Sequence, residues 1–250
     1  MKKSILLALV LLIALAILLC FLFFFPPFQI KTVEISWQGK QDTALPVSLI
    51  DEANHLGRHS YPLQLLEGNI SRFADSPFVA MVAGSTFSGN VLRIVLEKQP
   101  VFAHLVTDGT VWGVMNGEGI VRIGKGDGRY AAGLGLEVVL TPTFAKLLDT
   151  GDRMSGLEEA IRMVMRINET SYLICSLKCD NNINYGSALY TLTLADGFTQ
   201  ISIRQEADLP NLEKAVRRIL GLGLQNGKHD REIYIYHDAL VVRSGKLGGC

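Results

Sequence analysis

Residues 119–126 read GIVRIGKG, a glycine-framed lysine that comes close to a phosphate-cradling loop. Gly126 stands where Ser or Thr would ligate magnesium, and no helical pattern follows Lys125 to aim an N-terminus at phosphate. His55 and His59 are four apart, the spacing of two zinc ligands on one helical face, yet Gly57 interrupts the helix and no Glu adjoins His55. They are expected to be surface residues near a turn. Asp51-Glu52 and Glu158-Glu159 are adjacent carboxylate pairs on helices, where neighbours point apart and cannot flank one scissile bond. No G-x-S-x-G elbow exists to activate a serine. Cys175 and Cys179 are separated by roughly 13 Å if they share a strand, beyond disulfide reach. Either could pair with Cys250, but buried free thiols are the simpler expectation. Four cysteines, one of them Cys20 in an apolar run, make neither a disulfide framework nor a zinc spacing. The residues point to a non-catalytic protein with no cofactor and no metal site.

With 24 basic and 24 acidic residues among 250, charge favours neither nucleic acid nor an acidic solvating role. From Ser4 to Phe25 the chain is uncharged, a stretch that as a helix rises roughly 33 Å and would cross a bilayer. Lys2 and Lys3 precede it, so the N-terminus is expected in the cytoplasm and the rest beyond the membrane. A cleaved signal peptide would have a shorter apolar region ending in small residues. The expected organisation is a cytoplasmic stub and transmembrane anchor at 1–27, a first domain at 28–100 and a second at 101–250.

In the first domain Val33, Ile35 and Trp37 alternate with Glu34, Ser36 and Gln38, the period of a half-buried strand. Pro46 opens a helix whose Val47, Ile50, Ala53 and Asn54 can share a face, and Gly57 is placed to end it. A second helix is expected from Leu63 to Phe73, stopped before Pro77. Two strands follow, Phe78 to Ala83 and Val91 to Glu97, about a turn at Ser88-Gly89-Asn90. The order is β-α-α-β-β.

Beyond Val101, glycine-punctuated strands begin with a hairpin, Phe102 to Val106 and Val111 to Met115, joined at Asp108-Gly109. Tyr172 to Leu177 reads as a strand. Ser155 and Glu158 have capping-box spacing ahead of a helix with Leu157, Ile161, Val164 and Ile167 on one face. Leu189 to Ala195 and Phe198 to Arg204 form a second hairpin across Asp196-Gly197, and an amphipathic helix runs from Pro210 to Leu220. Arg231 to Tyr236 and Ala239 to Arg243 close the chain as strands. The fold class expected is α+β: a transmembrane helix, a β-α-α-β-β domain, then a mixed α+β domain with an antiparallel sheet.

Phe28 to Gly39 (FQIKTVEISWQG), Ser76 to Val82 (SPFVAMV) and Leu92 to Ala103 (LRIVLEKQPVFA) together resemble the POTRA module of the bacterial cell-division protein family FtsQ/DivIB. Glu97, Pro100 and Ala103 carry most of that likeness. Val106 to Val121 resembles the step into that family's second domain, and EIYIYHDALVVR its closing strand pair, with Tyr234-Ile235-Tyr236 where the family has Asp-Leu-Arg. The resemblance implies a non-catalytic scaffold at the division septum that binds bitopic division proteins of the FtsB and FtsL type. By position it implies Ile233, Tyr234, Ile235, Tyr236, Leu240, Val241 and Val242 as partner-binding, without a small-molecule substrate. Other POTRA-bearing export proteins, or an envelope hydrolase, are the alternatives.

Overall fold

The computed structural model describes residues 2–39, 44–171, 174–181, 188–221, 231–236 and 239–244, with side chains at 9–21 and 24 in the first helix and at Ile233 alone in the last two strands. The chain divides into two compact units, Met1–Pro100 and Val101–Cys250. Both are mixed α and β.

The first unit begins with helix α1, Lys2–Phe24. A transmembrane span over Ser4 to Phe25 is corrected here, because among the described residues no helix is long and apolar enough to cross a membrane. The described side chains of this helix are those at 9–21 and 24. They are apolar and exposed.

Strand β1 (Thr32–Trp37) is followed by helices α2 (Val47–Leu56) and α3 (Tyr61–Leu66), a 3-10 turn (Ser71–Asp75), and strands β2 (Val79–Ser88) and β3 (Val91–Lys98). The sheet order is β1-β3-β2, with β1 parallel and β2 antiparallel to β3. Leu92, Ile94 and Leu96 of the central strand are fully buried, as is Ile30 ahead of β1. The buried face of α2 is Leu49, Ala53 and Leu56, while Val47 and Ile50 are exposed. That differs from the face read by sequence, because the i, i+4, i+7 stripe from Leu49 is the one that meets the sheet. The expected second helix divides in two: Gly68 has φ +68°, which breaks the ladder between α3 and the 3-10 turn. At the β2–β3 turn Gly89 and Asn90 both take positive φ. Asn90 also donates through Nδ2 to the carbonyls of Pro26 at 2.8 Å and Gln29 at 2.6 Å, fixing the segment that leaves α1.

In the second unit β4 (Ala103–Thr107) and β5 (Thr110–Asn116) form the expected hairpin, with Asp108 and Gly109 both at positive φ, the geometry that matches strand twist. Then come β6 (Gly119–Arg122), a short helix α4 (Gly128–Ala131), β7 (Leu136–Leu140), helices α5 (Pro142–Asp149) and α6 (Met154–Ser171), and β8 (Ile174–Cys179). The hairpin β9 (Tyr190–Leu194) and β10 (Thr199–Ile203), helix α7 (Leu212–Gly221), β11 (Arg231–Tyr236) and β12 (Ala239–Ser244) complete it. The strands make one sheet in the order β12-β11-β10-β9-β8-β7-β4-β5-β6. An antiparallel sheet is corrected to a mixed one: β4 with β7, β7 with β8 and β10 with β11 run parallel. Each parallel pair needs a crossover, and helices supply it at two of the three, α5 with α6 between β7 and β8, and α7 between β10 and β11.

Helix α6 buries Leu157, Ala160, Ile161, Val164 and Ile167, and α7 buries Leu212, Ala215, Val216 and Ile219, in one core with Val138, Leu177, Leu192 and Ile201 of the sheet. Residues alternating with these on the strands, such as Glu137, Lys178 and Thr193, are exposed or half-buried. The capping box is also corrected. Ser155 lies inside α6, and Glu158 instead accepts from the Ile120 N–H at 3.1 Å, tying the helix to β6.

Gly133 (φ +81°) and Gly135 (φ +68°) lead into β7; a Cβ on Gly135 would overlap the Phe102 carbonyl, whereas one on Gly133 meets nothing within 4 Å. Gly135→Ala should therefore destabilise the second unit by at least about 3 kcal/mol and Gly133→Ala by about 1 kcal/mol, read as a difference between urea midpoints.

Candidate functional site

β-Sheets recognise partners through unpaired edges, so the four edge strands can be compared directly. β2 is long, but two register shifts against β3 bend it. β6 has four residues. β1 carries Glu34, held at 2.7 Å by Arg93 of β3. β12 pairs with β11 over six consecutive residues without a shift, from Arg231↔Ser244 to Tyr236↔Ala239, and among the described residues nothing pairs with its other side. Regular length is what an added strand needs.

The seven residues named from sequence are thus divided between an internal and an edge strand. Leu240, Val241 and Val242 lie on β12 opposite Ile235, Tyr234 and Ile233. β11 itself lies between β10 and β12, with Ile233 beside Ile201 in the parallel ladder. Ile233 is fully buried and belongs to the core with Ile201 and Ile203, so its side chain is not a contact surface. The side chains of Tyr234 and Tyr236, named with Ile233 as partner-binding, lie outside the described ones, as does any pairing of Cys250.

The residues that could do chemistry remain apart. His104 is buried, its Nδ1 donating to the Leu134 carbonyl at 2.8 Å while Nε2 lies 3.7 Å from Glu137, a cross-strand neighbour. Asp196 accepts from the Phe198 and Thr199 N–H groups and from the Thr199 hydroxyl, which is hairpin-turn work. Among the described residues no group of three His, Cys, Asp or Glu side chains could hold a metal ion. Lys125 is followed only by the four-residue α4. Cys175 is exposed and Cys179 buried although they are four apart on β8, because a register shift between Ile174 and Ser176 reverses the alternation.

What the sequence missed is in the first unit: His55 and His59, both exposed, open onto one cleft of about 430 Å³ formed by α2, α3 and the 3-10 turn. Their helical misalignment is real, but the chain returns past them after Gly57. No family model matches the chain, and no curated protein matches it in sequence.

Burial raises the Cys179 thiol well above its ordinary range and, with nearby Cys179, Glu206 and Glu159 outweighing Arg153, does the same to the Tyr190 phenol. The two residues pair across β8 and β9. Both groups fold in their neutral forms, so their contribution is complete at neutral pH and lost as pH rises above about 9, where the unfolded chain ionises first. Native thiol alkylation should accordingly modify Cys175 and spare Cys179, read by peptide mass spectrometry. The Tyr190 hydroxyl is buried without a hydrogen-bond partner among the described residues. Tyr190→Phe should raise stability by about 1 kcal/mol and soften the alkaline loss, and a drop in the urea midpoint would refute that account.

Proposed function

We propose that the chain is a non-catalytic scaffold of the FtsQ/DivIB type that holds other division proteins through an added strand at β12, outside the cytoplasm and at the division septum. The observation that carries this reading is the unshifted six-residue pairing that leaves β12 as the last strand of a nine-stranded sheet. An extended segment placed there would pair with the backbone groups of β12 that no described strand pairs, while alternate side chains would set specificity. The β-α-α-β-β order of the first unit and the sequence segments 28–39, 76–82 and 92–103 are consistent with the same family. Partners of the FtsB and FtsL type fit the reading, since small bitopic proteins can offer a strand beyond their own helices. It makes no use of a spanning helix.

A photo-crosslinking amino acid placed at Leu240 or Val242 tests it, with co-expressed bitopic division proteins as targets. Adducts are expected from those two positions and not from Leu66, which is exposed on the first unit. Crosslinks from Leu66 alone, or none from β12 in a folded chain that still reaches the septum, would sink the proposal.

A further inference from the structure

The cleft in the first unit has a built polar interior as well as an apolar floor. Leu56 and Phe73 are buried and Leu63 half-buried along it, and Gln64, only 3% exposed, lines it from α3. The orientation of the Gln64 amide follows from its neighbours. Glu67 can only accept, so the Asn69 atom 2.7 Å from its Oε2 is the donating Nδ2. The same Nδ2 lies 2.7 Å from Gln64 Oε1, which is therefore the acceptor end. That leaves Gln64 Nε2 as a donor with no acceptor among the described residues, on a side chain that lines the cleft.

Charges of both signs stand on the rim. The Arg72 guanidinium makes no ion pair among the described residues, and Glu52 and Glu67 bring carboxylates to the same cleft. An amide donor facing the cleft beside a guanidinium with no ion pair among the described residues calls for a carboxylate, while the acidic rim at Glu67 calls for a cation. The floor between them calls for an aliphatic group. The volume is within the range of small-ligand sites, about 300–1,000 Å³.

The geometry points to a binding site for a zwitterion with an aliphatic side chain, either a free amino acid or a short peptide, separate from the β12 edge. Its carboxylate accepts from Gln64 Nε2 and Arg72, its ammonium faces Glu52 and Glu67, and its side chain covers Leu56, Leu63 and Phe73.

The test is calorimetric titration of the full chain, kept in mild non-ionic detergent, with leucine and the dipeptide Leu-Leu, while the ring protons of His55 and His59 report the location by NMR. Saturable binding is expected for at least one of them. Blocking either end of the ligand that binds, as the N-acetyl or the amide form, should weaken it about tenfold or more, the usual cost of one charge-assisted hydrogen bond. Arg72→Ala should weaken the parent and N-acetyl ligands but not the amide, and Glu67→Gln the parent and the amide but not the N-acetyl form. Gln64→Leu should match Arg72→Ala; if that buried substitution fails to fold, the two surface variants still decide. Preference for leucine assigns a free amino acid and preference for Leu-Leu a peptide, and both uphold the site. No saturable heat with either probe, blocked ligands binding as tightly as the parent, or shifts that bypass both histidines would overturn it.

Discussion

Gly135 approaches the Phe102 carbonyl more closely than any side chain would permit, and Leu136 then donates its N–H to that same carbonyl at 2.8 Å. This contact starts β7 in parallel register beside β4, Ala103 opposite Leu136. Everything on the far side of the second sheet follows from it. Once β7 lies beside β4, β8 can pair with its free edge only by a crossover, which is where α5 and α6 are placed. Asn168 closes that crossover by bonding the Ile174 N–H and C=O together, at 2.9 and 2.7 Å. From β8 the sheet grows through the β9–β10 hairpin to β11 and β12.

Each of the two sheets must stop somewhere, and the manner of stopping differs at each edge. Bulges bend β2, brevity limits β6, and a charged side chain marks β1, which are recognised means of discouraging a foreign strand. β12 has regular pairing with β11 instead. Its inner neighbour contributes Ile233 to the core, so the strand pair is held by packing from one side and by the ladder from the other. On the proposed reading, an edge held in this way would meet an incoming strand in extended form, which would lower the entropy lost on binding.

The first unit solves a different problem with fewer strands. Its central strand β3 buries Leu92, Ile94 and Leu96, α2 packs on β1 and the 3-10 turn on β2, and the break at Gly68 that prevents one continuous helix lies beside the cleft at α3. Polar groups there are satisfied in a chain, Glu67 to Asn69 to Gln64, that runs out at one amide hydrogen pair.

Local features were legible in the sequence because they depend on neighbours a few residues away. The turns at Asp108-Gly109 and Asp196-Gly197, the alternation of Val33, Ile35 and Trp37, and the apolar stripe of α6 each state their own conformation. The buried stripe of α2 was not legible, since both candidate faces carry apolar residues and only contact with the sheet chooses Leu49, Ala53 and Leu56. Glu158 had a capping spacing, yet the approach of β6 gave its carboxylate another donor. The apolar run at 4–25 spelled a helix, and the structure describes one at Lys2–Phe24, but no membrane span among the described residues. By itself, then, the sequence determined many of the helices, strands and turns, through preferences that act within one turn or one pleat, but not the division at Gly68 or the strand and helix at Leu136–Leu140 and Pro142–Asp149. Tertiary structure alone decided that β7 lies parallel between β4 and β8, that β12 is an edge while Ile233 is core, and that His55, Gln64 and Arg72 share a cleft, because those outcomes depend on partners distant in the chain whose identity no local spacing records.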